Sequence, residues 1–115
     1  MKNLKVAAMI LLSAMVASSA WARPTWCANA RTLTEIAICK DTTLSQLDVQ
    51  MDATYKYTQR IITPFCRQDL LETQRIWLAS RNLCGASVPC LDRAYRDRQY
   101  QIELYPARTS CMRPN

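Results

Sequence analysis

The chain has 115 residues, a formal net charge of +6, a single glycine and no histidine. A chain of this length supports one domain with one modest core. The lack of histidine excludes histidine-assisted serine or cysteine nucleophiles and histidine metal ligands, and one glycine is too few for a glycine-rich phosphate-binding loop.

Residues 1–22 have the pattern of a secretory signal peptide. A positive segment contains Lys2 and Lys5, an apolar run extends from Val6 to Ala17, and Ala20-Trp21-Ala22 matches the A-x-A cleavage signal. The alternative is a retained membrane anchor, but the apolar run is short for crossing a bilayer. We therefore expect a soluble mature domain of residues 23–115, without an integral membrane segment or a lipid anchor.

The mature segment contains all six cysteines, an even number that indicates disulfide bonds formed in an oxidising compartment. We therefore expect a periplasmic or secreted protein. Removal of the two leader lysines lowers the formal charge from +6 to +4. The remaining charges are spread along the chain, and together with the export signal this pattern argues against a nucleic-acid partner.

The first helical segment begins at a capping box. Thr32, with Glu35 three residues later, predicts a short helix from Leu33 to about Lys40. Its expected apolar side consists of Leu33, Ile36 and Ala37.

A second, longer helix follows, with Thr43 as its expected N-cap. It should end before Pro64, because the residue preceding a proline resists helical geometry. Asp48 lies at the edge of its apolar face. The positions of that face follow the helical period and are Leu44, Leu47, Met51, Tyr55, Thr58 and Ile62.

The third helix is predicted from about Phe65 to Cys84. We expect Trp77 to lie in the core because of its large apolar surface, and we expect Gly85 to be the left-handed residue that ends the helix. The face that should pack inward carries Leu70, Gln74, Trp77, Arg81 and Cys84.

Ile76 and Leu83, seven residues apart, lie together on the flank of this third helix. They form either a partner-binding patch or a surface that another element covers. We favour the second interpretation, with the cover supplied by the apolar side of the short first helix.

The fourth helix is predicted from Cys90 to about Tyr105, where Pro106 stops it. Its expected inner face consists of Leu91, Ala94, Tyr95, Arg98, Ile102 and Tyr105. Short connections between long helices favour antiparallel neighbours. The fold class is therefore all-α, a small disulfide-stapled bundle of three longer helices plus one short N-terminal helix.

The order of the helices limits which cysteines can form disulfide bonds with each other. Cys84 and Cys90 bracket the turn between the third and fourth helices. In an antiparallel hairpin, the start of the third helix meets the end of the fourth, which brings Cys66 beside Cys111. The remaining pair would tie the N-terminal segment to the short helix. The expected bonds are Cys27–Cys39, Cys66–Cys111 and Cys84–Cys90.

Three charged residues lie on inward faces, and buried charges need partners. Asp48, one turn into the second helix, should be level with Arg81 near the end of the antiparallel third helix. Arg98, two turns into the fourth helix, should lie near Asp52 or Asp48. We interpret Asp48, Arg81 and Arg98 as structural ion-pair residues rather than as ligand-binding residues.

Four motifs in the mature segment carry a resemblance to a known family. The matching residues are Cys27 and Cys39 with Thr34-Glu35 and Ala37-Ile38; Leu44-Ser45-Gln46-Leu47-Asp48 with Met51 and Tyr55; Gln74-Arg75-Ile76-Trp77-Leu78 with Arg81 and Cys84; and Cys90-Leu91 with Tyr95 and Arg98. In these motifs the chain resembles the LprI-like family, named for a lysozyme inhibitor. The resemblance covers nearly all of the mature segment and implies a secreted or periplasmic helical domain, with lysozyme as the candidate partner.

Two functional hypotheses follow, and in neither is the protein itself an enzyme or expected to bind a cofactor or a metal. The first is a protein-binding module that inhibits lysozyme or another cell-envelope enzyme by stoichiometric binding. The second is a non-inhibitory envelope factor that binds client proteins or membrane surfaces. Neither the target nor the oligomeric state follows from the sequence.

The export hypothesis predicts the mass of the secreted protein. The mature chain should begin at Arg23 and should weigh six hydrogens less than its reduced sequence, because each of three disulfide bonds removes two hydrogens. Intact mass spectrometry measures both quantities. A mass that includes residues 1–22, or a lipid on Cys27, would contradict the prediction of a soluble exported domain.

Overall fold

The computed structural model describes residues 23–114, so the predicted signal peptide lies outside the described residues. Helices α1 to α4 span Leu33–Lys40, Thr42–Ile61, Pro64–Asn82 and Val88–Glu103, and short 3₁₀ segments span Thr25–Asn29, Tyr105–Ala107 and Thr109–Cys111. Residues 23–114 contain no strand, only an isolated bridge between Ile62 and Met112. The predicted all-α fold, with one short helix before three longer ones, is confirmed.

Side-chain caps determine where the helices begin. Thr32 and Glu35 form the predicted capping box of α1. For α2 the predicted N-cap Thr43 is wrong, because Asp41 Oδ1 accepts the backbone N–H of Leu44 at 2.9 Å and the helix begins two residues earlier. Asp41 also ends α1, so one extended residue separates the two helices.

The third and fourth helices begin slightly earlier than predicted, at hydroxyl caps followed by proline. Thr63 caps α3 before Pro64, and Ser87 caps α4 before a proline in its first turn. Helix α3 ends at Asn82, two residues short of the prediction. Gly85 has the expected left-handed conformation, with φ of +56°, but it follows a further 3₁₀-like turn.

The core lies mainly between α2 and α4, with α3 packed against them. The bridge between Ile62 and Met112 places the ends of α2 and α4 together, and the Cys66–Cys111 bond places the start of α3 at that same end. Helices α2 and α4 therefore run parallel, and α3 runs antiparallel to both. The most deeply buried apolar residues include Ile38, Leu44, Ile62, Leu70, Leu91, Tyr95 and Ile102.

The predicted apolar side of α1 is correct for Ala37, which packs against the core, but wrong for Leu33 and Ile36, which are exposed. Leu33 is 72% exposed, while the residues that face the core are Thr34 and Ile38. The Thr34 hydroxyl donates to the backbone carbonyl of Gly85 at 2.8 Å, and Asn82 O lies 3.3 Å away. Helix α1 thus turns a polar residue inward because its hydroxyl hydrogen-bonds the Gly85 carbonyl in the turn after α3.

The three disulfide bonds are Cys27–Cys39, Cys66–Cys111 and Cys84–Cys90, the pairs expected from the order of the helices. Each bond joins elements at a different point of the bundle. Within residues 23–114, no helix combines the length and apolarity needed to cross a bilayer.

The disulfide bonds should differ in their contribution to stability. Loss of the Cys66–Cys111 bond frees a loop of 45 residues and should lower the unfolding free energy by about 4 kcal/mol. The reason is that the unfolded chain gains more conformational entropy when a longer loop is released. Loss of the Cys84–Cys90 bond frees 6 residues and should cost about 2 kcal/mol. Urea unfolding of the two double Cys→Ser variants measures both values, and the reverse order would contradict the loop-entropy account.

Candidate functional site

A buried polar network joins the three long helices and the N-terminal segment. The Tyr95 hydroxyl donates to Asp48 Oδ1 at 2.7 Å and accepts from Arg81 Nη1 at 3.2 Å. The indole N–H of Trp26 donates to the other Asp48 oxygen at 3.1 Å. Asp48 and Arg81 are therefore brought together as predicted, but Tyr95 stands between them, and their direct charge contact is long at 3.9 Å.

Tyr95 must be protonated to serve as both donor and acceptor in this network. Burial raises the pKa of the Tyr95 hydroxyl well above its ordinary value, and the negative charge of Asp48 raises that pKa further. The network therefore keeps its hydrogen-bond pattern at neutral pH.

Arg81 and Trp77 are held by further contacts around the network. The guanidinium of Arg81 donates from two nitrogens to Asn82 Oδ1, at 3.3 and 3.0 Å, and lies 5.8 Å from the centre of the Trp77 ring. Trp77 packs edge-on against Tyr95 at 5.2 Å, and its N–H donates to Ala94 O at 3.2 Å. Trp77 is half-buried at the edge of the core, with its indole N–H satisfied.

The predicted partners of Arg98 are wrong. Its guanidinium donates to Gln74 Oε1 at 2.8 Å, Thr73 Oγ1 at 3.0 Å and Gln101 Oε1 at 3.2 Å, and not to Asp48 or Asp52. Arg98 lies farther along the bundle axis than predicted, beside uncharged hydrogen-bond acceptors of α3. Burial lowers the pKa of its guanidinium. Arg98 is buried and hydrogen-bonded, but it forms no ion pair within residues 23–114.

A cleft of about 670 Å³ opens beside the network, between α2, α3 and the N-terminal segment. Asp48 and Arg81 lie among its lining residues, and Arg23, Lys56 and Arg75 add positive charge. Lys56 is paired with Asp52 at 2.8 Å. The other lining residues include Trp26, Met51, Tyr55, Leu71 and Leu78.

Trp26 is the network residue that the sequence did not indicate. It lies in the 3₁₀ segment before α1, where no helical period marks an inward face. The Cys27–Cys39 bond and a hydrogen bond from Arg23 to Cys39 O, at 2.7 Å, hold this segment against the helices. Only the residue type could have indicated this contact, since a tryptophan with a buried indole needs a hydrogen-bond acceptor for its N–H.

The interpretation that α1 covers the flank of α3 is wrong, because Ile76 is 65% exposed and Leu83 is 87% exposed. Leu33 precedes Thr34, which is bonded to the turn after α3, so Leu33 lies beside that turn. We call Leu33, Ile76, Leu83 and Val88 the turn surface. The Cys84–Cys90 bond closes the loop that carries Val88, and Leu83 directly precedes that loop.

The acidic side chains of the described residues are scattered or already engaged in contacts. Residues 23–114 contain no group of three or more carboxylate or thiol side chains that could hold a metal. The most buried carboxylate, Asp48, is occupied by Tyr95 and Trp26, and Glu35 serves in the α1 capping box.

Comparisons of the chain with protein-family models, with curated proteins and with solved structures found no match. The resemblance to the LprI-like family therefore stays a prediction from the motifs.

The network predicts a strong coupling between Asp48 and Arg81. Asp48→Ala should lower the unfolding free energy by about 3–5 kcal/mol, because it leaves a buried guanidinium without its counter-charge. Both side chains are only 8% exposed. In a double-mutant cycle with Arg81→Ala the two losses should be far from additive. Chemical denaturation of the four proteins gives the coupling energy.

Asp52→Ala is the matched control for that cycle. Asp52 lies one turn later on α2 and pairs with Lys56, and both side chains are more than half exposed. Removal of the Asp52 carboxylate should change the unfolding free energy by no more than about 0.5 kcal/mol.

If Arg81→Ala leaves the melting temperature unchanged but abolishes partner binding, Arg81 is a recognition residue and its structural role is refuted.

Proposed function

We propose that this protein is an exported, disulfide-pinned binding module that inhibits a cell-envelope enzyme by stoichiometric binding. Muramidases, the class that includes lysozyme, are the first candidate targets because of the resemblance to the LprI-like family. Such a protein would act by occupying the substrate cleft of its target, without chemistry of its own.

The observation that carries the proposal is the turn surface. Leu83 is almost fully exposed at the end of α3, and the adjoining backbone is closed by the Cys84–Cys90 bond. The Thr34 hydroxyl anchors the same turn to α1. An exposed apolar side chain beside a disulfide-closed turn suits a concave cleft, and prior rigidity reduces the entropy that is lost on binding.

Local charge supports a glycosidase cleft as the binding partner. Glycosidase active sites carry two carboxyl groups across the scissile bond. Arg31, two residues before Leu33, and Arg93, one turn into α4, are both exposed. Neither arginine forms an ion pair within residues 23–114. They could therefore approach the carboxylates of a cleft, although a basic lysozyme and a basic inhibitor repel each other at long range.

The proposal predicts inhibition that saturates at one inhibitor per enzyme. The mature protein is titrated into a panel of muramidases and residual activity is measured. Leu83→Asp should weaken inhibition by about 30-fold, the effect of losing a central apolar contact worth about 2 kcal/mol. The same substitution should leave the melting temperature nearly unchanged, because Leu83 is exposed.

Phe65→Ser is the matched control, since Phe65 is also an exposed apolar residue of α3 but lies at its opposite end. It should inhibit as well as the parent protein. Equal losses in both variants would show that the turn surface is not the contact. No inhibition at large molar excess would rule out muramidases, and would favour the alternative of a non-inhibitory envelope factor for client proteins or membrane surfaces.

A further inference from the structure

A second surface lies at the opposite end of the bundle, where α2 turns into α3. The C-terminal segment packs on this turn: Thr63 N–H donates to Cys111 O at 3.2 Å, and the Thr63 hydroxyl donates to Ser110 O at 3.0 Å. These contacts gather side chains from three parts of the chain. We call Arg60, Phe65, Arg67, Met112 and Arg113 the basic corner.

The cations of the basic corner have no acidic partners among the described residues. Arg67 Nη1 donates to Ile62 O and Arg113 Nη1 donates to Arg60 O, both at 3.2 Å. The guanidinium groups of Arg67 and Arg113 thus each use one uncharged backbone acceptor. None of the three arginines takes part in an ion pair within residues 23–114.

Two large apolar side chains stand among these cations. Phe65 is 76% exposed in the first turn of α3, and Met112 is 59% exposed beside the Cys66–Cys111 bond. Their position is fixed by that bond and by the pairing of Met112 with Ile62. The corner therefore presents apolar groups and positive charge on one rigid support.

We propose that the basic corner docks this protein on the surface of an anionic phospholipid bilayer. The guanidinium groups bind lipid phosphates, for which their planar fork of donors is suited, and Phe65 and Met112 enter the interfacial layer. This docking is independent of the proposed inhibition, because it uses neither Leu83 nor the turn surface.

Charge complementarity favours anionic lipid as the occupant. Residues 57–69 and 104–114, the segments that form this end, contain four arginines and one carboxylate, Asp69. Asp69 accepts from the Tyr105 hydroxyl at 2.8 Å and pairs with Arg108 at 3.7 Å, and it forms no ion pair with the other three arginines. A few unpaired basic groups with an exposed aromatic residue are sufficient for reversible membrane association.

Vesicle sedimentation tests the proposal. The mature protein should bind vesicles of mixed phosphatidylglycerol and phosphatidylcholine, bind phosphatidylcholine vesicles weakly, and be released by high salt, which screens the charges. The double variant Arg60→Gln/Arg113→Gln should bind the anionic vesicles about tenfold more weakly or worse. The control Lys40→Gln/Arg75→Gln removes two exposed cations away from the corner and should bind like the parent.

Insertion of Phe65 into the lipid layer can be measured separately, by fluorescence quenching. In a Phe65→Trp variant, brominated lipids should quench the fluorescence of the new indole, measured against the parent protein with its own tryptophans. Equal loss of binding in the control and the corner variants would show only a net-charge effect and overturn the proposal. Equal binding to neutral and anionic vesicles, or no vesicle binding at all, would also overturn the proposal. None of these results depends on enzyme inhibition.

Discussion

The fold depends on a buried charge pair that a third side chain completes. Asp48 comes from α2, Arg81 from α3 and Tyr95 from α4, so the hydrogen bonds of one hydroxyl join the three long helices. Burial of a carboxylate and a guanidinium is costly unless both are satisfied. A slip of one turn in any helix would leave at least one charge unpaired. The network therefore sets the register of helices whose apolar contacts alone would tolerate several arrangements.

The helices, their inner faces and the cysteine pairs could be predicted because they follow from local rules. Helical periodicity identifies inner faces, and antiparallel order leaves few ways to join six cysteines. The errors occurred where a tertiary contact decided the outcome. The inward position of Thr34 depends on its hydrogen bond to the Gly85 carbonyl in the turn after α3, and the partners of Arg98 depend on the axial positions of two helices. Trp26 lies outside any helical period, so nothing local indicated its contact with Asp48.

The three disulfide bonds each support a different part of this arrangement. Cys27–Cys39 holds the segment that carries Trp26 and so completes the network around Asp48. The Cys84–Cys90 bond holds the turn surface, and the Cys66–Cys111 bond holds the basic corner. A domain this small has little core with which to hold protruding turns rigid. Covalent bonds at these points allow apolar side chains to stay exposed in fixed positions, which a recognition surface requires.

The two proposed surfaces are far enough apart to act together. Leu83 follows Phe65 by eighteen positions along α3, which at 1.5 Å per residue separates them by about 27 Å. A protein docked on a membrane through its basic corner would therefore direct its turn surface away from the lipid. The distance exceeds the Debye length at physiological ionic strength, about 8 Å, so the charges at one end barely affect association at the other. If both proposals hold, membrane docking would raise the local concentration of the protein near an envelope enzyme without altering its contact with that enzyme.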